Sequence, residues 1–162
     1  MAIAKRLEEF LEASGLPYEV RAHPRSDYSA QAARRSHIPL DQFAKPVLLA
    51  DEYGYVLALV PGTQRIDLAR LGAALHRTLE LATEAEIDGL FRDCEPGALP
   101  ALGQPYEIPT VYDDALRGLG DVYFEAGGHD DVVRMRGTDY LELLSNALHG
   151  PFSQRLERVT FR

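Results

Sequence analysis

Residues 44–62 read AKPVLLADEYGYVLALVPG. Two apolar runs, 46–50 and 55–60, flank the polar stretch Asp51-Glu52-Tyr53-Gly54, and Pro61-Gly62 ends the second run. Short apolar runs separated by a glycine-containing turn predict a β-hairpin. The rest of the chain is read outward from that pair of strands.

Ahead of the hairpin, Ile3, Leu7, Phe10 and Leu11 recur at helical spacing, and Gly15 with Pro17 stops the helix. Residues 18–20 are a short strand candidate, and Ser29 is placed to cap a helix over 29–37. Behind the hairpin, Asp67 precedes a helix over 68–76, and Thr83 with Glu86 has the spacing of a capping box. Residues 106–112 read as extended, with Pro109 suggesting an edge or irregular strand. Short strands are expected at 122–125 and 132–135, then a final helix carrying Tyr140, Leu141, Leu144 and Leu148. Helices and strands alternate without a strict βαβ repeat. The expected fold is therefore a mixed α/β (α+β) single domain over 1–162, a central mixed sheet surrounded by helices.

Composition narrows the function. The 162 residues carry a net charge of −8, which argues against broad electrostatic coating of a nucleic acid. Residues 80–131 hold 13 acids against only Arg92 and Arg117, whereas residues 1–50 hold six acids and seven bases. A polyanion would therefore approach through the N-terminal half. No segment reads as a signal peptide or a membrane span, so no membrane partner is expected. The single cysteine excludes an internal disulfide and a thiolate zinc cluster, and a cytoplasmic setting is expected. No metal spacing, Walker loop or dinucleotide fingerprint is present, so neither metal nor cofactor is expected.

Three features can carry chemistry. Lys45, one of only two lysines, stands at the mouth of the hairpin and can hold a carboxylate, carbonyl or phosphate oxygen. The loop 93–103, DCEPGALPALG, combines two prolines and two glycines, a stiff backbone able to present amides to a developing oxyanion. Gly127-Gly128-His129 offers an imidazole in a tight turn. Each has a plainer reading: a solvated strand-end lysine, a chain reversal, a surface histidine. Cys94 is flanked by Asp93 and Glu95, which disfavour a thiolate. Tyr18, His23 and Tyr28 can stack on a base if they line a groove.

Taken in order, Ala44-Lys45 with its apolar run, Val60-Pro61-Gly62 followed by Arg65 to Leu68, the loop from Gly97 to Gly103, Ile108-Pro109 with Asp113, and Glu125 to His129 resemble the YbaK/ProX group of aminoacyl-tRNA editing domains. This group occurs free-standing and inserted in bacterial prolyl-tRNA synthetases. The likeness spans about residues 18–144, and His23-Pro24 fits the group's early segment. The resemblance implies a trans-acting aminoacyl-tRNA deacylase that clears a wrong amino acid from a tRNA 3′ end. Alanine or another small amino acid on proline tRNA is the leading expectation, with a synthetase as a further partner. It implies catalytic roles for Lys45, Gly97 and His129, and substrate contacts from Pro100, Ala101, Gly103, Gly128, His23 and Tyr28. Arg21, Arg25, Arg34, Arg35 and Lys45 would form a limited track for the acceptor end. The chain departs from the group's pattern at Pro46, where a hydroxylated residue is usual, and at Leu99, where serine is frequent. Those departures motivate a second reading, a non-catalytic module of the same fold that binds aminoacyl-adenosine-like ligands or a synthetase. A hydrolase of some other activated ester is the third.

Overall fold

The computed structural model describes residues 3–22 and 38–156. The helix expected over 29–37 lies outside them. The hairpin forms as expected: β2 (Ala44–Asp51) and β3 (Gly54–Pro61) pair antiparallel without interruption, from Ala44 opposite Pro61 to Asp51 opposite Gly54. At its tip the Asp51 carboxylate accepts the Tyr53 N–H at 2.8 Å and a two-pronged contact from Arg77 at 2.5 and 2.7 Å.

The hairpin is the middle of a five-stranded sheet of order β5-β2-β3-β6-β9, with β5 at Glu80–Leu81, β6 at Thr110–Asp113 and β9 at Leu148–Gly150. The β3-β6 and β6-β9 pairings are parallel, so the sheet is mixed. A second, antiparallel sheet has the order β1-β8-β7, from Glu19–Ala22, Asp131–Arg136 and Asp121–Glu125. A parallel bridge between Phe43 and Tyr123 joins the two sheets. A small ladder of β4 (Gln64–Ile66) and β10 (Ser153–Arg155) completes the strands.

Side-chain alternation divides the hairpin between two apolar layers. Ala44, Leu48, Leu57 and Leu59 point into the larger core with Leu7, Leu11, Phe124 and Tyr140. Leu49, Val56, Ala58 and Val60 point the other way, onto Leu71. The larger core is covered by α1 (Lys5–Ser14), α3 (Glu84–Leu90) and α4 (Gly137–Leu143), the smaller by α2 (Leu68–Leu75). The result is an α/β fold with a central mixed sheet surrounded by helices, as the sequence predicted.

The caps expected at Asp67 and Thr83 are made. Asp67 accepts the Arg70 N–H at 3.0 Å, and Thr83 and Glu86 close a reciprocal capping box at 3.0 and 3.2 Å. Two sequence expectations are corrected. Residues 104–106 coil into a 3-10 turn, and the strand starts only at Thr110, inside the sheet rather than at its edge. Pro109 is tolerated because it precedes the ladder and contributes only its carbonyl, to Leu57 N–H at 2.8 Å. Leu148 leaves the last helix, which ends at Leu143, and begins β9.

Helix α1 starts after Ala4, which has no capping side chain. The cap comes from Asp93 instead, whose carboxylate accepts the Arg6 N–H at 2.9 Å and the Tyr106 hydroxyl at 2.8 Å. A carboxylate at a helix start satisfies an otherwise orphaned donor and complements the helix dipole. Replacing Asp93 by Ala should therefore lower stability by about 1–2 kcal/mol, read as a shift in the urea midpoint. An unchanged midpoint would mean the cap contributes nothing.

Candidate functional site

The loop 93–103 and the glycine-histidine turn, read separately in the sequence, are one hydrogen-bonded unit. Glu95 N–H donates to Gly127 O at 2.7 Å, and the Glu95 carboxylate accepts the His129 N–H at 3.1 Å. Between them, Glu95-Pro96-Gly97-Ala98 makes a β-turn closed by Ala98 N–H to Glu95 O at 3.1 Å. Proline at the second position and Gly97 at φ 81° are what a type II turn requires. The Pro96 carbonyl meets His129 Nε2 at 2.5 Å.

A carbonyl oxygen only accepts, so Nε2 carries the proton. In the neutral imidazole that leaves Nδ1 as an acceptor. His129 is only 4% exposed, and among the described residues its Nδ1 has no hydrogen-bond partner. A buried, unmatched polar atom at the edge of a stiff loop is a place where a ligand donor would be stabilised.

The turn itself is tightly seated. Gly127 takes φ 101°, and a Cβ there would fall 2.5 Å from Ala4 Cβ, so the start of α1 can approach only a glycine. Gly103 is equally confined, against Thr110 Oγ1 and Ile108 O. Among the expected substrate contacts, Pro100, Ala101, Gly103 and Gly128 are all buried, and Gly97 is exposed. Ala101 gives its carbonyl to Tyr140 Oη at 2.6 Å, which pins the rear of the loop to α4. His23 and Tyr28 lie outside the described residues, as do Arg25, Arg34 and Arg35. Arg21 is exposed on β1 and bonds Glu19.

Lys45 lies on the same face of the sheet as Phe43, two residues past the bridge to Tyr123. Glu125 is likewise two residues past Tyr123, so strand alternation sends Lys45 and Glu125 to one face. The Lys45 ammonium donates to Gln64 O at 3.0 Å, and burial lowers its pKa. The structure thus shows the loop and His129 in contact, while the Lys45 ammonium is tied to Gln64 O on β4. Pro46 falls between the Phe43–Tyr123 bridge and the Leu49–Leu81 pairing, on a length of β2 whose outer side carries no ladder among the described residues. A missing N–H costs nothing there.

Two carboxyl groups were overlooked by the sequence reading. Glu95 had figured only as a neighbour of Cys94, and Glu125 had no role. Glu125 is 1% exposed, and burial together with the nearby Glu95 charge pushes its pKa up to about 8. The only hint in the sequence was an acid inside the apolar run VYFEA. Cys94 is half-buried; burial dominates in pushing its thiol up to about 12, and Asp93 adds to it. It contacts Tyr106 Oη at 3.2 Å and is inert as a nucleophile. Among the described residues, no group of three His, Cys, Asp or Glu side chains is placed to hold a metal ion.

Two tests follow from these environments. Between pH 5 and 8 the native chain retains the Glu125 proton that the unfolded chain has already released, so stability should fall as pH rises through this window. Glu125→Gln should flatten that part of the profile, measured as denaturation midpoint against pH; a wild-type profile already flat there would place the carboxyl in an ordinary environment. Cys94 in the folded protein should react with iodoacetamide at pH 7.5 at least about tenfold more slowly than in the denatured chain, and equal rates would refute the buried-thiol assignment.

Comparison with known proteins now bears on this site. No curated protein matches the sequence. The hypothetical protein APE2540 superposes with a TM-score of 0.82 at 20% identity, covering 93% of this chain and 100% of the other. A scaffold protein used for computational grafting of epitope backbones gives 0.81 at 23% identity, with coverages of 94% and 97%. A protein described as a candidate trans-editing enzyme for prolyl tRNA synthetase gives 0.79 at 25% identity, with coverages of 93% and 96%. The aminoacyl-tRNA editing domain model matches residues 23–143, the span that holds the hairpin, the 93–103 loop and the His129 turn, and the chain belongs to the aminoacyl-tRNA editing domain family.

Proposed function

We propose that this chain is a trans-acting deacylase of the YbaK/ProX type, hydrolysing the ester of a mischarged tRNA in the cytoplasm, with alanine or another small amino acid on proline tRNA as substrate. The observation that carries this reading is His129, held by the Pro96 carbonyl with Nδ1 buried and unpartnered beside a rigid turn. It is supported by family membership and by the likeness to the candidate trans-editing enzyme.

An aminoacyl ester is already activated, so positioning and charge stabilisation are the main requirements. Water adds to the ester carbonyl, the oxyanion collapses, and the ribose oxygen leaves with a proton. In this scheme the substrate's vicinal hydroxyl orients the water. The exposed Gly97 amide at the crest of the turn faces the oxyanion, since the Ala98 amide is spent on closing the turn. His129 Nδ1 receives a donor from the aminoacyl group or its water. Lys45 leaves Gln64 O to hold an oxygen of the terminal nucleotide, which its partly desolvated ammonium favours.

Size exclusion suits such a wall. A synthetase distinguishes one methylene by only about 1–3 kcal/mol, so a second sieve closed to the larger cognate group adds real selectivity. The acidic surface is compatible with gripping a single-stranded 3′ end, which demands few phosphate contacts, and a synthetase partner would supply further affinity.

Purified protein presented with a panel of mischarged tRNAs should release free alanine from proline tRNA fastest. Lys45→Ala should lower kcat/KM by at least about tenfold. No release above buffer from any tRNA would favour the non-catalytic binding module, and an unchanged Lys45→Ala rate would remove Lys45 from the site.

A further inference from the structure

Glu95 has no part in the scheme above, yet it makes two of the three bonds that dock the loop on the histidine turn. Its N–H holds Gly127 O, and its carboxylate holds the His129 N–H, so it grips the turn on either side of Gly128. The next residue, Pro96, supplies the carbonyl that meets His129 Nε2. One dipeptide thus fixes the backbone and ring of the same histidine. The ring has little freedom to respond otherwise: the residue is 4% exposed, and Gly127 abuts Ala4 behind it.

We propose that Glu95 is a positioning residue that holds His129 with Nε2 protonated toward Pro96 and Nδ1 presented as a hydrogen-bond acceptor. The site then recognises a ligand group that donates, an amine, an ammonium or a bound water, and is mismatched to one that only accepts. Without the carboxylate the His129 N–H loses its acceptor inside the protein, the turn shifts, and the ring no longer faces Pro96 squarely. A buried donor deprived of its partner costs enough to drive such a shift. The kinetic consequence rests on the deacylase reading; the state of the ring does not.

The test therefore begins with the ring. Long-range proton–nitrogen correlation spectra of the nitrogen-15-labelled full chain, with His129 assigned by loss of its signals in His129→Gln, report which nitrogen carries the proton. Wild type should show a protonated Nε2 and a bare Nδ1. Glu95→Ala should give averaged ring nitrogens and, on the hydrolysed mischarged tRNA, a kcat lower by at least about tenfold with KM changed less than about twofold. Glu95→Gln, whose amide oxygen still accepts the His129 N–H, should restore the wild-type ring pattern and most of kcat. A wild-type ring protonated on Nδ1, or a Glu95→Ala ring identical to wild type, would overturn the proposal. If Glu95→Ala does not fold, Glu95→Asp, which withdraws the carboxylate by one methylene, takes its place, and an unperturbed ring in that variant overturns it equally. If no tRNA is hydrolysed, the deacylase reading falls while the spectra still decide the role of Glu95.

Discussion

The attachment of residue 95 to the turn at 127–129 is the constraint on which the site depends. It is a short, two-sided clasp: a main-chain bond to Gly127 and a side-chain bond to His129. Without it, the 93–103 loop and the β7–β8 connection would be held together only by the Pro96–His129 contact and apolar packing. With it, a type II turn, a buried imidazole and the end of a strand share one rigid frame. Rigidity here is a matter of geometry settled by the fold's own hydrogen bonds, so little ordering is left for binding to drive.

Charge around this frame is arranged economically. Glu95 is engaged with a backbone donor, and Glu125, buried beside it, holds its proton well above the usual carboxyl range. Two like charges in a desolvated spot would be costly, and retaining one proton avoids that cost. Burial likewise disarms Cys94, which sits between Asp93 and Tyr106, with the Asp93 charge also opposing a thiolate. The described side chains around this frame are thus organised by hydrogen-bond geometry rather than around an activated thiol.

How much of this was readable in the sequence depended on the range of each interaction. The hairpin, the Asp67 cap and the Thr83–Glu86 capping box are local, and their residue types and spacing announce them. Strands of two or three residues, such as Glu80–Leu81 and Leu148–Gly150, have no periodicity to detect and exist only because longer partners template them. The parallel pairings of β6 with β3 and with β9 are likewise non-local, and they place inside the sheet a strand that Pro109 had suggested was an edge. At the site, the candidate segments were visible as proline–glycine and glycine–histidine punctuation. Their union through Glu95 was not, since an acid next to a turn ordinarily means only solvent. The face on which Lys45 lies required the strand register, which no single segment encodes.

The tertiary cap on α1 bears on the order in which the molecule assembles. Asp93 and the helix start it satisfies are separated by 87 residues, and the seat for Ala4 is built from a turn still further along the chain. Helix α1 must therefore wait, with its leading donors bonded to water, until Asp93 and the 126–127 turn have been made. Closing so long a loop is entropically expensive and comes late in folding. The amphipathic helix made earlier is latched later, against the turn that carries His129.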